Sequence, residues 1–373
     1  MKKNALKFLE KLSESFGPSG FERDALRIAK EYVGEFADEV RNDNLGSLLF
    51  TKRGQAESPV ILLPGHVDEV GFVVSGINAE GFLSFNPIGG WFDQVLLGQR
   101  VKVRIKDGTL LLGVIAATPP HLLSPESREK VVKKEDMFID IGCANAEEVK
   151  ALGVRMGDPV VPDSAFSTME KTVFTEKKKT GTMTIAIGKG FDDRIGLFIA
   201  AEVVRRLRKE KISHPNTIVG AATVMEEVGL RGARTTAHIV NPDVCLTLET
   251  DISGDVPGVK AHQAPAKMGK GPTICTYDSS MIPNQPLKEL VIDTAEKQKI
   301  PYQLSQIARG GTDGGVIHMS NAGCPTIVIG IATRHIHSHV GMLSLADVEH
   351  CITLVLEVVK QLDAKTVAGF TTI

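Results

Sequence analysis

Apolar residues recur at helical spacing near the start of the chain. Ala5–Leu12 and Phe21–Val40 (Phe21, Ala25, Ile28, Tyr32, Phe36) predict two helices, with Gly17-Pro18-Ser19-Gly20 as the turn between them. The pattern then shortens to strands at Ser47–Thr51 and Val60–Leu63. The second is an uninterrupted apolar run, as expected of a parallel strand covered on both faces. It ends at Pro64-Gly65-His66.

Between about Gly71 and Val161 the texture changes to short alternating runs, such as Val101–Ile105 and Leu110–Ile115, broken by glycine and Asp-Gly turns. Only Ala146–Leu152 reads as a helix there. Thr118–Lys134, with Pro119, Pro120 and Pro125 followed by mixed charges, reads as a long exposed loop. This stretch predicts a small β-rich domain, residues 71–164, inserted into a larger one made of residues 1–70 and 165–373.

Beyond Asp192, strand and helix alternate. Helices are expected at Arg194–Arg208, Leu230–Ile239, Leu287–Lys299 and Leu345–Leu362, and strands at Thr217–Met225, Val244–Leu248 and Thr326–Ile331. Such alternation predicts an α/β fold with a mixed, largely parallel sheet flanked by helices. Active sites of such sheets gather at the carboxyl ends of the strands.

Composition narrows the possibilities. A chain of 373 residues, 42% hydrophobic and 24% charged, can bury a sizeable core. A formal net charge of -2 gives no electrostatic reason to expect nucleic acid or an anionic membrane as partner. The basic runs Lys177-Lys178-Lys179 and Arg205-Arg206 are short and read as solvated faces. No stretch approaches the roughly 20 apolar residues that span a bilayer. Lys7, Glu10 and Lys11 interrupt any apolar segment after Met1-Lys2-Lys3, so no signal peptide is expected. Five scattered cysteines without a CxxC pair read as reduced core thiols, and the expected compartment is the cytoplasm.

Ligand-type side chains follow four predicted strands: His66 and Asp68, Glu226 and Glu227, Glu249 and Asp251, and the run His335-x-His337-x-His339. Asp192 and Asp193 precede a helix, where a carboxylate is also a good N-cap. Singly, each has an ordinary reading: a structural histidine, a solvated acidic pair, a cap, a surface strand. Two adjacent carboxylates at the end of an apolar strand are unfavourable unless a cation compensates them. Recurrence at successive strand ends argues for one centre.

The segments Ser15–Glu22 (SFGPSGFE), Pro64–Glu69 (PGHVDE), Gly190–Arg194 (GFDDR), Met225–Gly232 (MEEVGLRG), Gly254–Gly258 (GDVPG), Gly269–Pro272 (GKGP), Gly310–Asp313 (GGTD) and Arg334–Ser338 (RHIHS) occur in an order that resembles the M42 family of metallo-aminopeptidases. That family also contains glutamyl and deblocking aminopeptidases and members described as endoglucanases. The resemblance implies a zinc-exopeptidase-like fold and two divalent metal ions per subunit. His66 would bind one, Asp192 would bridge both, and Glu227 and His337 would bind the other. Counting back from Asp255 in the Gly-Asp-x-Pro-Gly segment puts the last ligand at Glu249, where the family more often has aspartate; Asp251 is the alternative. His335 stands where the family often has tyrosine. The resemblance further implies that the insertion builds dimers, which can assemble into a dodecamer.

Mixed imidazole and carboxylate donors suit zinc or cobalt, and also manganese. The expected reaction is removal of the N-terminal residue from short peptides by a water activated by two metals. Glu226 would serve as general base, and Asp68 would orient His66. A glycoside hydrolase and a noncatalytic binding protein are the alternatives; a single Trp and 5% aromatics speak against a polysaccharide groove.

Overall fold

A computed structural model describes residues 1–175 and 178–372; Lys177 of the basic run lies outside them. The strands are β1 (Glu39–Asn42), β2 (Leu48–Arg53), β3 (Val60–His66), β4 (Gly71–Ile77), β5 (Leu83–Ile88), β6 (Arg100–Arg104), β7 (Leu110–Ala116), β8 (Phe138–Asp140), β9 (Pro159–Pro162), β10 (Ser167–Thr175), β11 (Lys178–Gly188), β12 (Thr217–Thr223), β13 (Val244–Ile252), β14 (Thr273–Asp278), β15 (Gln303–Ile307), β16 (Thr326–Thr333) and β17 (Gly341–Ser344). The helices are α1 (Lys3–Glu14), α2 (Arg23–Val33), α3 (Pro125–Arg128), α4 (Ala146–Ala151), α5 (Phe191–Lys209), α6 (Arg231–Val240), α7 (Gln285–Gln298), α8 (Gly314–Ile317), α9 (Leu345–Val359) and α10 (Ala364–Ala368).

The larger part is an eight-stranded sheet in the order β1-β2-β12-β3-β13-β16-β14-β15. Its centre is parallel: β12 with β3, β3 with β13, and β13 with β16. Antiparallel pairing joins β2 to β12 and β14 to β16, so the sheet is mixed. The uninterrupted apolar runs are explained by cover on both faces. Ile61 and Leu63 of β3 enter the large core formed with α1, α2, α5, α7 and α9, whereas Leu62 enters a smaller core with Ala233 and Ala237 of α6 and Ile317 of α8.

After His66 the chain crosses four residues into β4, and β4-β5-β8-β7-β6-β9 close a barrel. Its strands alternate as a half-buried surface must: Val101 and Val103 point into the barrel core, and Lys102 and Arg104 are only partly buried. β10, β11 and β17 form a separate three-stranded sheet.

Several boundaries differ from the sequence expectation. The second helix stops at Val33 instead of Val40, because Gly34 follows it and Val40 pairs in β1. Thr118–Lys134 is not a plain loop; it contains a 3-10 turn at Pro120–Leu122 and the short helix α3, begun by the Ser124 side chain accepting the Ser127 N–H. β13 runs on to Ile252, which places Glu249 and Asp251 inside the strand instead of beyond it. The β10–β11 hairpin was not anticipated from the pattern.

Candidate metal centre

His66 is the last residue of β3 and is buried. Its Nδ1 lies 3.1 Å from the Asp68 carbonyl oxygen, so the ring donates there and turns Nε2 toward Asp192 Oδ1, at 3.1 Å. Asp192 lies where α5 begins, in a first turn that is not helical at Asp192 or Asp193. The two neighbouring carboxylates therefore go to different places. Asp192 presents Oδ1 to His66 and Oδ2 to His337 Nε2, at 3.2 Å. Asp193 accepts the His66 N–H at 3.1 Å and the Gly196 N–H at 3.0 Å.

This approach of helix to strand depends on two glycines. A Cβ on Gly65 would lie 2.2 Å from the Leu197 nitrogen, and one on Gly196 would lie 2.3 Å from the Leu248 carbonyl oxygen. Arg194, fully buried, fixes the start of α5 by donating to the carbonyls of Val67, Leu12, Ser13, Ser15 and Gly17 and to Glu69.

Glu226 and Glu227 follow β12 by way of Met225, whose φ of 56° turns the chain sharply. Asp68 holds the turn: its Oδ1 accepts the Glu226 N–H at 3.0 Å, and its Oδ2 accepts the Glu227 N–H at 3.1 Å and the Ser19 hydroxyl at 2.7 Å. Glu22 Oε1 accepts the Met225 N–H at 3.1 Å. Glu227 Oε2 faces His337 at 3.4 Å, and Glu226 Oε2 faces His66 at 3.7 Å. His337 sits beyond β16 with φ of 52°, a left-handed conformation that the surrounding structure must hold in place.

His66, Asp192, Glu226, Glu227, Glu249 and His337 thus line one cavity of about 570 Å³, with Asp68 buried behind them. Asp251 also lines it but joins neither group of closely spaced donors among the described residues. Those groups are His66, Asp192 and Glu227, and His66, Asp193 and Glu249, with donor atoms within 4.8 Å of one another in each. The structure therefore brings Asp193, which the resemblance left aside, to the Glu249 side. His335 is exposed, and His339 is buried against Trp91, their ring centroids 5.3 Å apart.

Electrostatics follow from packing carboxylates together out of water. Burial pushes Glu227 up to about 8, reinforced by the charge of Asp192, and pushes Glu226 and Glu249 well above the usual carboxylate range. Burial also disfavours ionised Asp192, but hydrogen bonds from His337 and His66 hold it well below that range. Burial disfavours a charged His337 too, yet Asp192 and Glu227 raise it to about 9. Without cations, protons must fill this centre. Glu227 Oε1 is buried with no hydrogen-bond partner, an orphan acceptor that a cation would satisfy. The donors are imidazoles and carboxylates, so the residues fit zinc, cobalt or manganese.

Sequence reasoning missed the contribution of the barrel. Gly89 and Gly90 follow β5, and a Cβ there would lie 3.1 Å from Glu227 Oε2 and 3.1 Å from His337 Nδ1, respectively. A Gly-Gly pair after a strand was the available signal. Ser19, Glu22 and Asp193 were also missed as supports.

The comparisons agree in direction. The family model described as M42 glutamyl aminopeptidase matches residues 46–354. The protein FrvX of Escherichia coli is 35% identical over 365 residues, 98% of either chain. Among solved structures, a TET aminopeptidase from a marine-sediment Thaumarchaeota archaeon has a TM-score of 0.92 and 56% identity over 99% of each chain. The TET1 peptidase of Pyrococcus horikoshii has a TM-score of 0.80 and 30% identity, covering 96% of this chain and 100% of that one. With the family model spanning most of the chain and these relatives spanning nearly all of it, the protein belongs to the M42 glutamyl aminopeptidase family.

Proposed function

We propose that the protein is a dinuclear metal-dependent aminopeptidase that removes the N-terminal residue of short peptides. The observation that carries this reading is Asp192, whose two carboxylate oxygens face one histidine each, His66 and His337, on either side. His66 and Glu249 would hold one ion, Glu227 and His337 the other, with Asp192 between them; Asp193 is an alternative donor on the Glu249 side. Two divalent cations supply an acidified water and a polarised carbonyl.

The chain's own groups do the rest. Glu226 lines the cavity beside the ligands, its Oε2 3.7 Å from His66 Nε2, so it takes the proton from the attacking water and returns it to the leaving amine. Asp68 is a positioning residue: it holds the Glu226-Glu227 turn by both N–H groups and sits 3.5 Å from His66 Nδ1. The glycoside-hydrolase alternative has no support at the site, since no Phe, Tyr or Trp is among the described residues lining the cavity.

We place residues 71–164 as an inserted unit and residues 1–70 and 165–373 as the catalytic unit. The insertion serves association of like subunits. The outer face of β7 exposes Leu110, Leu112 and Val114, an apolar row that a partner copy would cover, and the P. horikoshii TET1 peptidase can assemble into a tetrahedron or a large octahedral shell. The five free cysteines fit a reducing compartment, the cytoplasm.

The test is a panel of aminoacyl 4-nitroanilides and short peptides, assayed on protein stripped of metal and reloaded with zinc, cobalt or manganese. Release of the N-terminal residue, abolished by chelator and restored by metal, is expected. Release that survives complete chelation, or none with any of the three metals, would refute the reading.

A further inference from the structure

The segments Gly254–Gly258 and Gly269–Pro272, and the arginine that opens Arg334–Ser338, have no place among the candidate ligands or the acid–base group. The fold brings them together at the adjoining ends of β13 and β16, whose last residues, Ile252 and Thr333, are paired in register. Arg334 is the first residue beyond β16. It donates from Nε to Asp255 Oδ1 at 2.9 Å and from Nη2 to Asp255 Oδ2 at 2.5 Å. This is a two-point fork between a planar guanidinium and a carboxylate, partly withdrawn from water, with side chains 23% and 20% exposed.

The Asp255 side of the fork is fixed. The Ser253 N–H donates to the Thr333 carbonyl at 3.1 Å, carrying the β13–β16 pairing one residue further. The Ser253 hydroxyl donates to Asp255 Oδ1 at 2.7 Å and accepts the Met268 N–H at 3.2 Å. The Gly254 N–H donates to the Ala266 carbonyl at 2.8 Å, and a Cβ on Gly254 would lie 1.8 Å from the Ala264 carbonyl oxygen, so only glycine lets the two runs of this loop meet. The returning run is tied to α9, where Asp347 accepts the Gly269 and Gly271 N–H groups at 2.6 and 2.9 Å.

The Arg334 side is held mainly at its base. Arg334 and Met342 exchange N–H···O bonds at 2.9 and 3.1 Å, which closes residues 335–341 into a loop. His335 and His337 both have left-handed φ, 61° and 52°, a conformation that non-glycine residues keep only when their surroundings impose it. Inside the loop, the hydrogen bonds among the described residues all involve the Ser338 hydroxyl. The His337 side chain is itself 40% exposed. The ring that faces Asp192 and Glu227 is thus carried by a lightly braced loop, and the fork is the charged contact at the root of that loop.

We propose that Asp255 and Arg334 are a positioning pair for His337. The fork fixes the base of the loop against the strand that bears Glu249, and so sets where the His337 ring stands relative to Asp192 and Glu227. This rests on the metal-centre reading above. Neither side chain lines the cavity, and the pair acts by placement alone.

The experiment titrates metal-free protein with Co(II) against a chromogenic chelator and records the visible absorption of the bound ion. Wild type is compared with Asp255→Asn, Arg334→Met and the double variant, with His337→Ala and Glu249→Ala as spectral references. Each single variant should bind Co(II) about 10- to 100-fold more weakly than wild type, the size of effect expected of groups that orient ligands. The double variant should be no weaker than the weaker single one, because the two residues make one contact. At partial loading, the spectra of these variants should match that of His337→Ala and differ from that of Glu249→Ala. Arg334→Lys keeps the charge but only one point of contact, and should fall between wild type and Arg334→Met; with Asp255→Asn it carries the comparison if Arg334→Met does not fold. Affinity within about twofold of wild type in the single variants, losses that multiply in the double variant, or spectra that match Glu249→Ala would each overturn the assignment and leave the metal-centre reading standing. A wild type that binds no Co(II) would overturn both.

Discussion

Asp68→Asn is the most discriminating change at this centre, because it alters no metal ligand and almost no volume. The carboxylate accepts from Ser19, Glu226 N and Glu227 N. Burial works against its ionisation, yet the His66 ring beside it and these donors hold its carboxyl below the usual range. An amide offers one oxygen in place of two. With that oxygen toward Glu227 N and Ser19, the new NH2 opposes the Glu226 N–H; with the amide reversed, the Ser19 hydroxyl can rotate to accept, but the Glu227 N–H is left opposed. Either way one buried backbone donor loses its acceptor, costing about 1–3 kcal/mol. The turn that carries both Glu226 and Glu227 is thereby loosened, and His66 loses a neighbouring negative charge. Supporting groups of this kind change metal affinity by about 10- to 100-fold. Competition against a chromogenic chelator measures that affinity, and thermal unfolding of the metal-free protein reports the lost hydrogen bond. Metal affinity within twofold of wild type would refute the account of Asp68.

Glu226→Gln should retain metal and fold but lose on the order of 10²–10⁴ in kcat, measured by steady-state hydrolysis with metal content determined in parallel; undiminished turnover would remove Glu226 from its role. Gly90→Ala places a methyl 3.1 Å from His337 Nδ1 without demanding an unusual φ, so metal held by His337 should dissociate more readily, visible as a lower metal content than wild type after dialysis. Metal-free protein should lose thermal stability between about pH 5 and pH 9. Glu227 at about 8 and His337 at about 9 both bind protons more tightly in the folded state, and that stabilisation is lost as pH rises through those values. Added metal should flatten the profile; a chelated protein whose melting temperature rises across the same range would contradict the sign.

The fold was legible where burial imposes a simple pattern. Val60–Leu63 is apolar at every position because both faces are covered, and the barrel strands alternate because only one face is. The end of α2 was not, since helical spacing persists through Phe36 while Val40 is claimed by pairing with Phe50. At the centre, the residues brought to one cavity include all five candidate ligands and Glu226. All but Asp192 announced themselves as polar residues just after a predicted apolar strand; Asp192, ahead of a helix where a cap is the ordinary reading, stood on the motif resemblance alone. Ser19 and Glu22 gave no such signal. Their partners are Asp68, 49 positions away, and Met225, 203 positions away, and no local pattern encodes contacts at that range. Asp193 was hidden by its neighbour, since an Asp-Asp pair before a helix does not say which carboxylate serves which purpose.

The contact of Gly65 with Gly196 has a consequence for how this enzyme can diverge. The strand bearing His66 and the helix bearing Asp192 meet backbone to backbone, with no side chain between them whose size could drift. Substitutions elsewhere in the large core can swell or shrink the spacing of other helices and leave the separation of these two side chains unchanged. The catalytic geometry is thereby insulated from most of the neutral variation the fold can accept, and cavity walls such as Ile252, Ile307 and Arg309 remain free to vary with the peptides the chain encounters.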